Sequence, residues 1–217
     1  SASTIGIFMA GWSSNNRYAL FGAARSVAVL ISYEVPVVVS LLGIVMITGS
    51  MSLNNIVQAQ TIPFLLVQPL ALFIFVTGMS AELNRTPFDI AEAESEIIAG
   101  YHTEYSGIKF ALIFATETGA MLVVSAIIAT LFLSGWNGPF ESFLGWLWFL
   151  LKTLGIIFVF IWVRATYPRL RLDQIMALSW KFLLPLSLIN LAVTSIEVFV
   201  LKGVDGYLNT TDLWIMA

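Results

Sequence analysis

Cysteine is absent from the sequence, and histidine occurs only once. Without cysteine the chain can form no disulfide, no thiolate-ligated metal site and no iron–sulfur cluster, and one histidine is too few for a histidine-rich metal site. We therefore expect no metal site and no redox centre in this chain. Any redox cofactor would belong to a partner.

Charged residues are also scarce. They make up 11% of the 217 residues, whereas hydrophobic residues make up 59%, and the mean hydropathy is +0.90. This composition excludes an ordinary water-soluble globular protein. The net charge of −3 provides no basic surface for nucleic acid. The sequence therefore predicts an all-α integral membrane protein, a polytopic helix bundle, without a nucleic-acid partner.

Five apolar stretches are long enough to cross a membrane, which takes roughly 20 residues of α-helix. They are Val27–Thr48, Ile62–Ala81, Ile108–Leu133, Trp146–Val163 and Phe182–Leu201. A shorter apolar stretch, Ile5–Ala10, lies near the start of the chain, and we expect it to be the end of a further transmembrane helix. We interpret residues 1–217 as one membrane domain that is incomplete at its N-terminus.

Lys and Arg residues concentrate on one side of the expected bundle. That side receives Arg17, Arg25, Arg85, Lys109, Arg164, Arg169, Arg171 and Lys181, the other receives only Lys202, and Lys152 lies inside a span. Because loops rich in Lys and Arg stay on the cytoplasmic or equivalent side, the connection 82–107 is expected there. The basic connection Arg164–Lys181, on the same side, is expected to anchor the membrane domain or to meet an acidic partner or a lipid headgroup.

A polar island, Glu82–Tyr105, separates the second and third spans and holds six of the thirteen acidic residues. Asp89, three residues before Glu92, predicts a helix start, and in that helix Asp89, Glu92 and Glu96 share one face. Like charges at this spacing repel and favour protonation of one member, so the cluster can take up and release protons. The same residues also fit a solvated acidic loop, and the pattern alone leaves both interpretations open.

Three charged residues lie inside expected spans: Glu34, Glu117 and Lys152. A charge at the centre of a membrane helix costs on the order of 2.5–3.5 kcal/mol, so each should face protein or water. Glu34 either pairs structurally with a neighbouring helix or serves a transport path, and Pro36 removes a backbone donor close to it. Glu117 and Lys152 lie in successive antiparallel spans, where they either pair or form stations on a polar path.

Four segments resemble, in order and with matching spacing, a membrane subunit of respiratory complex I. They are GWSSNNRYALFGAAR, SYEVP, NRTPFDIAEAESEIIAGYHTEYSGIKFA and RATYPRLRLDQIM. That family is the quinone-module subunit, called the H subunit in bacteria and NADH-dehydrogenase subunit 1 in mitochondria. The resemblance implies a fragment of an eight-helix subunit that binds no cofactor itself and borders the chamber for the quinone substrate. FMN and iron–sulfur clusters would lie on partner subunits of the hydrophilic arm. The other expected partners are the neighbouring membrane-arm subunits and lipid.

The resemblance also implies that ten charged residues couple quinone reduction to proton translocation. Asp89, Glu92, Glu94, Glu96 and Glu104 would form a responsive loop, Arg25 and Arg85 would balance its charge, and Glu34, Glu117 and Lys152 would continue the path into the membrane. The whole complex would be a proton-pumping NADH:quinone oxidoreductase, in which this subunit is not catalytic alone.

Two other functions fit the residues without the resemblance: a free-standing cation or proton transporter, or a purely structural anchor. Within the resemblance, the alternative is a membrane anchor subunit of a related hydrogenase-type complex. The intact string PFD…EAESE…EYSG favours the quinone-reducing branch over the hydrogenase relatives. The expected location is a bacterial plasma membrane, with the mitochondrial inner membrane and the thylakoid as alternatives.

Overall fold

The computed structural model describes residues 2–85, 87–89, 105–139 and 141–201, and these ranges are all-helical apart from their connections. The elements are α1 (Ala2–Ser13), α2 (Arg17–Thr48), α3 (Leu53–Ala59), α4 (Phe64–Val67), α5 (Pro69–Glu82), α6 (Ile108–Phe132), α7 (Glu141–Thr166), α8 (Leu172–Ala177), a π-helical turn (Leu178–Leu183) and α9 (Leu184–Leu201). The last three form one continuous helix, Leu172–Leu201. This architecture confirms the expected all-helical membrane protein.

Four of the described helices are long and apolar enough to cross a membrane: α2, α6, most of α7, and the continuous helix that ends in α9. Large apolar side chains cover the outward faces of α6 and α7, including Leu112, Val123, Phe158 and Trp162, which are all more than half exposed. In water such a surface would be unfavourable, and in a bilayer it faces lipid. The chain is therefore an integral membrane protein.

The central helix is α2, which packs against α1, α5 and α9. The Asn16 side chain accepts the N–H of Tyr18 at its start, and Gly49 ends it in the left-handed conformation, φ 67°, with an N–H bond to Val45 O. Its 32 residues span about 48 Å, longer than the ~30 Å hydrocarbon core. A helix of this length either tilts in the membrane or extends beyond the hydrocarbon core.

The second expected span, Ile62–Ala81, is not a continuous helix. The chain forms α4, breaks at Gln68 (φ −131°, ψ 58°) and resumes as α5 with Pro69 in its first turn. Proline lacks an N–H and fits the first turn of a helix better than its interior, so the sequence favours a new start there. The expectation of one unbroken helix over Ile62–Ala81 was wrong, because proline determines the local structure even within an apolar run.

Candidate functional site

The start of the island is bound to the basic connection between α7 and α8. Leu170 N donates to Pro87 O at 3.0 Å, and Arg169 Nη2 donates to Asp89 Oδ2 at 2.9 Å. The Asp89 side chain is mostly buried, whereas that of Arg169 is 44% exposed. Arg169 thus pairs with a carboxylate of the same chain, and the expectation that Arg164–Lys181 meets an acidic partner or a lipid headgroup stays a prediction.

An aromatic contact holds the same segment on α2. The rings of Phe88 and Tyr33 meet edge to face, with centroids 5.4 Å apart, and both side chains are buried. The Tyr33 hydroxyl donates to Ile175 O at 2.9 Å, which ties α2 to α8 as well. Residues 87–89 therefore rest on a surface formed by α2, α8 and the connection before α8.

The expected site residues on and near the island are described only in part. Arg25 lies half-buried on α2, and Arg85 lies half-buried just after α5. Within the described ranges, Arg85 Nε and Asp89 Oδ1 are buried atoms without a hydrogen-bond partner. The other four expected carboxylates, which lie outside the described residues, are Glu92, Glu94, Glu96 and Glu104. Their clustering with Asp89 stays a prediction.

Glu82 and Glu117 line one cavity of about 300 Å³ between α1, the end of α5 and α6. Ile7 and Ile113 contribute apolar wall, and Thr116 contributes a hydroxyl next to Glu117. Charges in a largely apolar cavity interact more strongly than charges in bulk water, because the effective dielectric constant is lower. The cavity thus joins the first residue of the island to a carboxylate of α6.

Glu34 lies near enough to Glu82 for the two charges to interact. Glu82 directly follows the apolar stretch that ends at Ala81. Burial raises the pKa of its carboxyl most, the positive terminal amino group of the chain lowers that pKa, and the negative charge of Glu34 raises it. The approach is close because Gly78 of α5 has no side chain, and a Cβ there would overlap Val37 of α2. This contact lies about one helical turn from each carboxylate.

Glu82 is a candidate site residue that the sequence reasoning did not name, because it was treated only as the boundary of the island. One signal could have identified it. A carboxylate in the last turn of a helix faces the negative end of the helix dipole, and at the end of an apolar helix that placement is costly. An unfavourable charge of this kind calls for a functional explanation.

Lys152 belongs to α7 and lies beside the C-terminal end of α6, whereas Glu117 lies in the N-terminal half of α6. Its Nζ donates to Leu133 O at 2.7 Å, Gly135 O at 3.0 Å and Asn137 O at 2.7 Å. The stretch from Glu117 to Leu133 is about 24 Å long at ~1.5 Å per residue, so the two side chains do not pair. The ammonium group of Lys152 binds the backbone carbonyls at the C-terminal end of α6, where the helix dipole favours a cation.

A buried polar network lies at the break between α4 and α5. Gln68 Nε2 donates to Thr194 Oγ1, and Asn190 Nδ2 donates to Gln68 Oε1, each at 3.0 Å. Gly43 of α2 lies against all three side chains. The sequence reasoning did not single out these residues, because each is uncharged and Gln68 lies 122 and 126 residues from Asn190 and Thr194. They form a group only through the packing of α2, α5 and α9.

Known proteins similar to this chain are described as NADH dehydrogenase or as one of its subunits. A family model described as NADH dehydrogenase matches residues 1–195. The H subunit of NADH-quinone oxidoreductase from Dehalococcoides mccartyi (strain CBDB1) is 57% identical over 94% of this chain. The H subunits from Geobacillus kaustophilus and Carboxydothermus hydrogenoformans are 50% and 47% identical over 89% and 93% of it. The chain spans 58% to 59% of the length of these relatives.

Proposed function

This chain belongs to the family of H subunits of NADH-quinone oxidoreductase, and from that membership we propose that it couples quinone reduction to proton translocation in a proton-pumping NADH:quinone oxidoreductase. In this proposal the chain borders the quinone chamber and carries charge from the chamber into the membrane. The bacterial relatives support a bacterial plasma membrane as its location. FMN and iron–sulfur clusters would be carried by partner subunits, since the chain has no cysteine to ligate a cluster.

The observation that carries the proposal is the position of Glu82 between two intramembrane carboxylates. Glu82 interacts electrostatically with Glu34 and shares a cavity with Glu117. A change of charge at one of the three would act on its neighbour, because charges interact more strongly in a largely apolar surrounding than in bulk water. Three groups coupled in this way can pass on a change of charge.

The contacts of residues 87–89 support the upstream part of this path. The Phe88–Tyr33 contact attaches the start of the island to α2, the helix that also carries Glu34, and the Asp89–Arg169 ion pair attaches it to the connection between α7 and α8. A change of charge in the quinone chamber would act on the island carboxylates Glu92, Glu94, Glu96 and Glu104, with Arg25 and Arg85 as counter-charges. It would then reach Glu82 and, through it, Glu34 and Glu117.

Lys152 takes a different role in the proposal from the one expected from the sequence. Its ammonium group donates to three carbonyls after α6 and lies about 24 Å along that helix from Glu117. We propose that it stabilises the turn between α6 and α7. The path then ends at Glu117.

The test replaces Glu82 by Gln, which removes the charge and keeps the shape. In the assembled complex in native membranes, Glu82→Gln is expected to lower NADH-driven quinone reduction by about tenfold or more, because proton transfer through a missing carboxylate is blocked. Glu197→Gln is the matched control, since Glu197 is a carboxylate in an apolar helix as well, but it lies near the end of α9 away from the island. Wild-type turnover in assembled Glu82→Gln complex would overturn the proposal.

A further inference from the structure

Pro36 leaves one backbone carbonyl of α2 without its helical donor. In an α-helix the N–H of each residue donates to the carbonyl four residues earlier, so Pro36, which has no N–H, cannot donate to Ser32 O. α2 nevertheless continues through this point to Thr48, and Pro36 is fully buried. A buried carbonyl without a donor costs free energy, so Ser32 O requires another donor.

That donor is the hydroxyl of Ser179. Ser179 Oγ donates to Ser32 O at 2.6 Å, and both residues are buried, Ser179 completely. The neighbouring Trp180 Nε1 donates to the Ser32 hydroxyl at 3.1 Å, and that hydroxyl donates to Ala28 O at 2.7 Å. Both the carbonyl and the hydroxyl of Ser32 are thus bound from the helix that follows α8.

The π-helical turn Leu178–Leu183 carries Ser179 to this position. Within it the N–H of Leu184 bonds to Ser179 O, five residues earlier, which widens the turn. The wider turn immediately precedes Pro185, whose ring would collide with the carbonyl four residues before it in a regular helix. Pro36 therefore accounts for the buried carbonyl that lacks its helical donor, and Pro185, on the neighbouring helix, accounts for the irregular turn that brings a hydroxyl to it.

We propose that Ser179 is a positioning residue that takes the place of the missing N–H of Pro36 and so fixes the turn of α2 that carries Glu34. Ser32 and Pro36 bracket Glu34, so the conformation of this turn sets where the carboxylate lies relative to Glu82. The consequence for activity rests on the proposed function, whereas the pairing of Ser179 with Pro36 does not. Without the hydroxyl, Ser32 O has to find another donor, and the turn shifts.

The test is a double-substitution cycle in the assembled complex, with Ser179→Ala, Pro36→Ala and both together. In Pro36→Ala the backbone N–H at position 36 returns and can donate to Ser32 O, so Ser179→Ala is expected to matter only when Pro36 is present. Ser187→Ala is the matched control, because Ser187 is equally buried on the same helix but bonds only within it, to Leu184 O. Thermal stability of the complex and the kcat and KM for quinone are measured for each variant.

We expect Ser179→Ala alone to lower the thermal midpoint and to reduce kcat about threefold or more with KM unchanged. The double variant should match Pro36→Ala in both measurements, and Ser187→Ala should match wild type. If Ser179→Ala prevents assembly, Pro36→Ala is expected to restore it. Equal effects of Ser179→Ala with and without Pro36 would overturn the inference.

A parallel Glu34→Gln variant separates this inference from the proposed function. If Glu34→Gln lowers turnover but Ser179→Ala does not, the positioning role is wrong and the path stands. If Glu34→Gln has wild-type turnover, the path is wrong, and the stability cycle alone decides whether Ser179 replaces the Pro36 donor.

Discussion

At the scale of single residues, Glu82 is the position on which the account depends. It occupies the last turn of α5, where the helix dipole disfavours a negative charge, it interacts electrostatically with Glu34, and it lines the cavity shared with Glu117. Glu34 and Glu117 could be nominated from the sequence, because a charge inside an apolar span requires a reason. Glu82 could not be ranked in the same way, since its importance comes from two helices that lie far from it in the chain.

The raised pKa of Glu82 predicts how stability depends on pH. A carboxyl whose pKa is higher in the folded than in the unfolded protein binds more protons when folded, so its contribution is favourable at low pH and is lost as pH rises through the folded pKa. Glu82→Gln does not titrate. The thermal midpoint of Glu82→Gln minus that of wild type should therefore increase with pH above the unfolded value of about 4.3. Thermal unfolding of the assembled complex at several pH values measures this difference.

Glu197→Gln is the control for that titration. A difference between Glu82→Gln and wild type that is constant across the pH range would contradict the burial assigned to Glu82.

At the scale of elements, the interruption between α4 and α5 is the main departure from the expected helices. The length of the apolar run predicted a span, and Pro69 decided where the helix restarts. The network of Gln68, Asn190 and Thr194 supplies polar partners at that point, and Gln68 is 4% exposed. Pairing between helices of this kind could not be predicted, because the three side chains belong to segments separated by more than a hundred residues.

Replacing Gln68 by Leu should destabilise the bundle. The change leaves the amide of Asn190 and the hydroxyl of Thr194 without their present partner, and a buried pair of this kind in a membrane protein is worth about 1 kcal/mol. Gln58→Leu is the control, because Gln58 is exposed. The measurement is the thermal midpoint of the assembled complex. Equal midpoints for Gln68→Leu and Gln58→Leu would mean that the network contributes nothing to packing.

At the scale of the whole molecule, the positions of the long spans and the family could be read from the sequence. Apolar length predicted the four long spans, although it failed at Ile62–Ala81, and the four matching segments identify the family. The order in which helices pack could not be read in this way. The central position of α2 and its close contact with α5 at Gly78 depend on shape complementarity between the helices. The pattern of hydrophobic residues along the sequence does not reveal that complementarity.

The central claim is that Glu34 and Glu82 are members of one path, and a double-substitution cycle in turnover tests it most directly. Groups that act as a unit have non-additive effects, because one break already stops the process. NADH-driven quinone reduction is measured in the assembled complex with Glu34→Gln, Glu82→Gln and both. The account predicts that the double variant is no slower than the slower single variant. Wild-type turnover in the single variants, or a double variant slowed by the product of the two single effects, would contradict it.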